Sequence, residues 1–250
     1  MQSTLASMWM FTVSISGLKQ SSANRSSKIY TVNINQHSMP SPTATPYHHG
    51  DLRAAMLEAA QRILETEGIE GLTLRAAARA AGVSHAAPKN HFGDLSGLLS
   101  ELAAVGFRQF TSDLKAAMEA VASGSAEERL DAMGGAYVGF AKAHPGMFVL
   151  MFRSERLDLH RPALRQAIDE AQAALAGSMA ARLGIADASA GRAPITPEQT
   201  AAMVRAWSLV HGFSMLLIDH RLDRVLAHMP PGSDWRTLLA QTFSVGSHPR

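Results

Sequence analysis

The stretch Ser84-His85-Ala86-Ala87-Pro88-Lys89-Asn90-His91-Phe92 sets hydrogen-bond donors among small side chains. A helix that is small at its start approaches a surface closely, and Ser, Lys, Asn and His donors can then meet phosphate oxygens and base edges. The surrounding charge suits that chemistry. From Gly71 to Ser100 the charged residues are Arg75, Arg79 and Lys89 against Asp94.

Two short helices must position these donors. Thr73 can cap the first, because its hydroxyl oxygen accepts from the unpaired N–H groups two and three residues on. Leu74, Ala77, Ala78 and Ala81 then share a face. Gly82 stands where a helix end wants positive φ, and Val83 can plug the angle between the helices. Ser84 can cap the second helix, expected over about His85 to Phe92. Pro88 costs little if His85 is the cap and removes one bond if Ser84 is. The pattern alone fits a DNA-reading pair and an ordinary alanine-rich helical hairpin equally.

The string AGVSHAAPKNHF, preceded by EGIEGLTLRAAARA, closely resembles the DNA-binding domain of the tetracycline-repressor-like (TetR) family of bacterial regulators, over roughly Leu52 to Leu99. The resemblance implies that Thr73, Ser84, His85, Ala86, Ala87, Asn90 and His91 lie at or near DNA, with Arg75 and Lys89 adding positive charge. Lys89 stands where the family usually has tyrosine, and Leu95 where it usually has lysine. Lys89 can still hold a phosphate as a point charge.

The totals bound the alternatives. At 250 residues with 46% hydrophobic content the chain can bury a real core, as one large or two small domains. A formal charge of +2 does not by itself announce nucleic acid. Without cysteine, disulfides, zinc–thiolate sites and cysteine nucleophiles are excluded. No uninterrupted apolar run reaches the ~18 residues of a spanning helix, so no membrane is expected and the expected location is cytoplasmic. No Gly-rich phosphate loop, nucleophile elbow or helical His-Glu-x-x-His occurs, so no enzyme and no cofactor are expected.

Residues 1–46 carry Lys19, Arg25 and Lys28, no acid, and many Ser, Thr, Asn and Pro. They read as a disordered tail or as an extension upstream of a true start at Met39. The patch Leu5 to Leu18 lacks a preceding Lys or Arg and is interrupted by Ser, Thr and Gly, unlike a signal peptide. Tyr47, His48, His49, Gly50 and Asp51 read as a cap region and small arm. A metal-dependent enzyme using His48, His49 and Asp51 is the distant alternative.

Downstream, strand signals are absent and an all-α fold is expected, with a three-helix helix-turn-helix domain over 47–95 followed by a helical domain over 96–250, which the family resemblance implies is for effector binding and dimerisation. Leu52, Met56, Ala59, Ala60 and Ile63 form a stripe on the first helix, closing at Gly68. One long helix is expected over about Ser96 to Ala122. Ser125 and Glu128 form a capping-box pattern opening a helix to Ala143. His144-Pro145-Gly146 reads as a turn, Met147–Arg153 as a short helix, and Pro162 as the start of the next. Thr196-Pro197-Glu198-Gln199 opens a helix to about Asp219, and Asp234 caps a last one to about Val245.

The second half is rich in soft apolar side chains: Tyr137, Phe140, Met147, Phe148, Met151, Phe152, Met179, Met203, Trp207 and Met215. Plain core packing accounts for any one of them; as a set, read with the resemblance, they imply an apolar pocket. The segment AWSLVHGFSMLLIDHRL resembles the Trp–His–Gly signature of one C-terminal domain type in the same family. That assigns Tyr137, Phe140, Phe148, Met151, Phe152, Met179, Met203, Trp207 and His211 to an effector site. His211 is either a pocket-facing donor or a structural histidine tied to a backbone carbonyl. The expectation is therefore a homodimeric repressor of a palindromic operator, released by a small apolar effector and holding no metal. A helical small-molecule-binding dimer with weakened DNA binding is the alternative.

Overall fold

The computed structural model describes residues 49–84, 87–182 and 196–244. The N-terminal segment, Tyr47, His48, His85 and Ala86 lie outside the described residues, as do the side chains of His49, Asp51 and Ala87. Helices form the whole described fold, without strands among the described residues.

Helix α1 (His49–Gly71) buries Met56, Ala59, Ala60, Ile63 and Leu64 at helical spacing. The long run closes at Gly68 as expected: at φ 72° and ψ −177° this residue is non-helical, and a separate short turn follows to Gly71. Helix α2 (Leu74–Ala80) begins at Thr73, whose Oγ1 accepts from the Ala76 N–H at 3.0 Å. It ends in a Schellman turn. Gly82 takes φ 68°, its N–H bonds the Arg79 carbonyl at 3.2 Å, and the Val83 N–H reaches the Ala78 carbonyl at 3.0 Å. Helix α3 (Ala87–Phe92) follows. His85, where the helix was expected to begin, lies outside the described residues, and Pro88 is the second residue of the described span.

Helix α4 (Leu95–Ala120) is the spine of the molecule. Asp94 caps it, Oδ1 accepting from the Gly97 N–H at 2.8 Å. One side of it is buried from Leu98 through Phe110 to Leu114. Helix α5 (Ala126–Ala143) opens on the complete capping box of Ser125 and Glu128. Helix α6 (Pro145–Met151) follows after one residue, His144, instead of the expected three-residue turn. Pro145 starts it directly, its fixed φ and absent N–H suiting a first helical position. Gly146 is needed for fit, since a Cβ there would lie 2.6 Å from the Leu64 carbonyl oxygen.

A 3-10 turn (Ser154–Arg156) leads to α7 (Pro162–Arg182), which packs along α4 and α5. Helix α8 (Pro197–Ile218) begins with a second complete capping box, Thr196 with Gln199. A short α9 (Asp223–Ala227) and α10 (Trp235–Ser244) end the described chain. Most of the buried apolar side chains form one continuous cluster from Met56 to Leu239.

Helix α8 departs from the expectation that nothing in the chain could span a bilayer. It is long and apolar enough by composition, with a mean hydropathy of 1.4 over its most apolar window and only 28% of that window buried. Arg205 and His211 interrupt its apolar run, which is why no uninterrupted stretch stands out in the sequence.

Candidate functional site

The donor-bearing surface is built by α2, the turn and α3. Phe92 is wholly buried and Pro88 is buried, so they pin α3 to the core, while Lys89 and Asn90 are exposed and His91 is half-buried. Thr73, Arg75, Arg79 and Ser84 are also exposed. Thr73 already uses its oxygen as a cap, which leaves its hydroxyl proton to donate. The expected placements of His85, Ala86 and the Ala87 side chain fall outside the described residues. Leu95 is half-buried and packed against the core. It holds the first turn of α4 in place and does not project as a phosphate anchor would.

The second group of expected residues comes together around Tyr137. This side chain is buried, edge-on to Phe110 at 5.0 Å and to Phe148 at 5.7 Å between ring centroids. Its hydroxyl lies 3.0 Å from His211 Nδ1, donating to it or accepting from it according to the imidazole tautomer. Burial pushes the Tyr137 hydroxyl well above the usual tyrosine range and lowers His211 below the ordinary histidine value, so both are neutral near pH 7. The histidine is therefore tied to a side chain, not to a backbone carbonyl. Its ring stacks among Phe148, Phe152 and Trp207, with centroids 5.4, 4.6 and 5.9 Å away.

A cavity opens beside this cluster, bounded by α5, α7, α8 and α10. Tyr137, Met179, Met203 and Trp207 line it, as expected of pocket residues. Phe140, Phe148, Met151, Phe152 and His211 are not in its wall. Phe140 and Phe148 pack behind Tyr137, in the aromatic cluster with Phe110. Met151 and Met147 fill the groove left by Gly106, where a Cβ would lie 2.9 and 2.6 Å from their sulfurs. Sequence reasoning missed Leu130, Met133 and Gly134 of α5, Leu175 of α7, Ala206 and Val210 of α8, and Phe243 of α10. Two of these sets repeat at three- and four-residue steps, 130-133-134-137 and 203-206-207-210, a facing pair of helix stripes. The wall carries no charged side chain, and the cavity is small, with a volume of about 40 Å³.

Among the described residues no group of three or more His, Asp and Glu side chains could hold a metal. His48, and the His49 and Asp51 side chains, lie outside them.

The family model described as "Tetracyclin repressor-like, C-terminal domain" matches residues 130–234, which include Tyr137, Trp207, His211 and Gly212. No curated protein sequence matches the chain. Among solved structures, a protein with unknown function from Rhodococcus sp. RHA1 is similar at 33% identity, with a TM-score of 0.61, over 81% of this chain and 96% of that one. The putative regulatory protein SCO4313 is similar at 22% identity, with a TM-score of 0.55, over 80% and 97%. A putative tetR family transcription regulator from Shewanella sp. PV-4 is similar at 19%, with a TM-score of 0.51, over 78% and 96%, and shares the all-α fold. With its matched C-terminal domain and the short two-helix unit that precedes it, the chain belongs to the tetracycline repressor-like family.

Proposed function

We propose that the protein is a cytoplasmic, homodimeric transcriptional regulator that represses from a palindromic operator and is released by a small apolar effector. The observation that carries the DNA-binding part is the anchoring of α3. Buried Phe92 and Pro88 hold it while Lys89 and Asn90 are exposed, as are Arg75 and Arg79 of α2 and its cap Thr73. Ser84, His85, Ala86, Ala87 and His91 complete the proposed contact set. One short helix makes too few contacts for specific binding. Two copies about 34 Å apart would read successive major grooves.

The apolar face of α8 supports the dimer. Ala201, Val204, Ser208, Gly212 and Leu216 follow at three- and four-residue steps, and Val204 and Leu216 are 50% and 43% exposed. A Cβ on Gly212 would meet nothing within 4 Å, so a second helix can come close there. Burying such a stripe against its copy removes the apolar exposure that otherwise marks α8.

The cavity supports the effector. A drug-sized ligand needs about 300 Å³ or more, so entry must displace walls, namely Leu175 and Met179 of α7 or Phe243 of α10. Ligand binding then favours one arrangement of these helices over another, which is the differential affinity that allosteric release requires. Lining without charge favours an uncharged ligand.

The test is selection of random duplexes by the purified full chain. Enrichment of a palindrome with half-sites about one helical turn apart is expected. Recovery of unenriched DNA would contradict the reading.

A further inference from the structure

The end of α3 is held by a residue from beyond α6. Phe92 is the last residue of α3, and its carbonyl is one of the acceptors a helix C-terminus leaves unpaired. The chain turns away immediately at Gly93, with φ 79° and its N–H bonded to the Lys89 carbonyl at 3.0 Å. The Arg161 guanidinium donates to the Phe92 carbonyl through one terminal nitrogen. Its other terminal nitrogen lies 3.5 Å from Glu101 Oε1, and its Nε faces Asp158 Oδ2 at 3.7 Å. Glu101 is shared with Arg53 of α1. Gly97 makes room for both partners, since a Cβ there would lie 1.9 Å from the Phe92 carbonyl oxygen and 2.8 Å from the guanidinium carbon. Arg161 is the residue before Pro162, and its carbonyl accepts from the Arg165 N–H, so it belongs to the first turn of α7.

We propose that Arg161 is a positioning residue for α3: by holding the Phe92 carbonyl it fixes the pitch at which Lys89 and Asn90 are presented. A cation at a helix C-terminus suits the helix dipole, and a rigid planar fork holds a carbonyl and a carboxylate at a fixed separation, which a compact ammonium on a flexible stem does not. The same helix α7 reaches, about 25 Å away by its rise per residue, the cavity walls Leu175 and Met179. A displacement of α7 at the cavity therefore pulls on the grip at α3. That last step rests on the effector reading; the grip itself does not.

The test measures sub-second amide hydrogen exchange in the full chain, without DNA or ligand, for Arg161→Gln and Arg161→Lys. In Arg161→Gln the amides of His91, Phe92 and Gly93 exchange roughly tenfold faster, while those in the middle of α4 and α8 stay within about twofold. Arg161→Lys, which keeps the cation but not the fork, gives a smaller increase confined to the same amides. Should Arg161→Gln fail to fold, Arg161→Lys decides. Unchanged exchange at 91–93, or acceleration of equal size in α4 and α8, would overturn the proposal by leaving Arg161 no local role or only a global one. Since no operator enters the experiment, failure of the DNA-binding reading would leave this result intact and separately interpretable.

Discussion

The Tyr137 hydroxyl meets His211 Nδ1 at 3.0 Å, joining α5 to α8 through two neutral, largely buried groups. The pair is a small polar island in an aromatic cluster. Removing one partner leaves the other desolvated and unpaired, which costs more than the bond itself contributes. Tyr137→Phe, which removes only the hydroxyl, should destabilise the protein by about 1–3 kcal/mol. Urea denaturation checks this, and a loss below about 0.3 kcal/mol would mean that water replaces the hydroxyl.

His211 also gives a pH dependence with a defined sign. Burial lowers its value in the folded state below the ordinary 6.5. The unfolded chain therefore binds the proton first, and stability rises with pH in that window. The His211 contribution is fully present above pH 6.5 and is lost as pH falls toward the lower folded value. Subtracting the stability–pH curve of His211→Gln from that of the wild type should isolate a decline below pH 6.5. Parallel curves would contradict it.

Lys89 and Asn90 should differ in kind. As a point charge on phosphate, Lys89 contributes affinity irrespective of sequence, so Lys89→Ala should weaken specific and random duplexes alike and reduce the salt slope by about one. Asn90, if it reads a base edge, should cost about 1–3 kcal/mol at the preferred site and relax preference at one base pair. Binding isotherms across a salt series separate the two outcomes.

A charge on the α8 stripe should break the dimer. Val204→Glu and Leu216→Glu place carboxylates on the exposed apolar face, where burial against a copy would leave them unpaired. Sedimentation should show folded monomers at micromolar concentration, with operator binding lost. Persistence of a dimer would move the interface elsewhere.

Two glycines in helices should respond in opposite directions. Gly177, exposed in α7, has nothing within 4 Å of a built Cβ. Gly177→Ala should stabilise by about 0.5–1 kcal/mol through backbone entropy. Gly97 is buried, and a Cβ there would meet the Phe92 carbonyl oxygen and the Arg161 guanidinium, so Gly97→Ala should destabilise by about 1–3 kcal/mol. Thermal melts check both, with Gly97→Ala testing the close approach at the end of α3 and Gly177→Ala serving as the unpacked comparison.

Much of this was legible in the sequence where a local rule dictates the outcome. Thr73, Ser125 and Thr196 cap helices because their side chains serve adjacent N–H groups, and Gly82 turns the chain because positive φ favours glycine. The fold class followed from helical spacing in every segment. Long-range choices were less legible. Which aromatic residues pack behind Tyr137 and which face the cavity depends on how α6 seats against α4 and α1, where Gly106 and Gly146 respectively admit close approach. Arg161 gave no local signal, because its partners Phe92 and Glu101 are brought near only by the tertiary fold.

The central claim is sequence-specific DNA binding by a dimer, and fluorescence anisotropy of the full chain on the selected palindrome and on a scrambled duplex, at two salt concentrations, tests it most directly. The account predicts affinity for the palindrome about 10³-fold or more above the scrambled duplex, falling at higher salt, with one dimer bound per duplex. Equal, weak binding to both duplexes would contradict it.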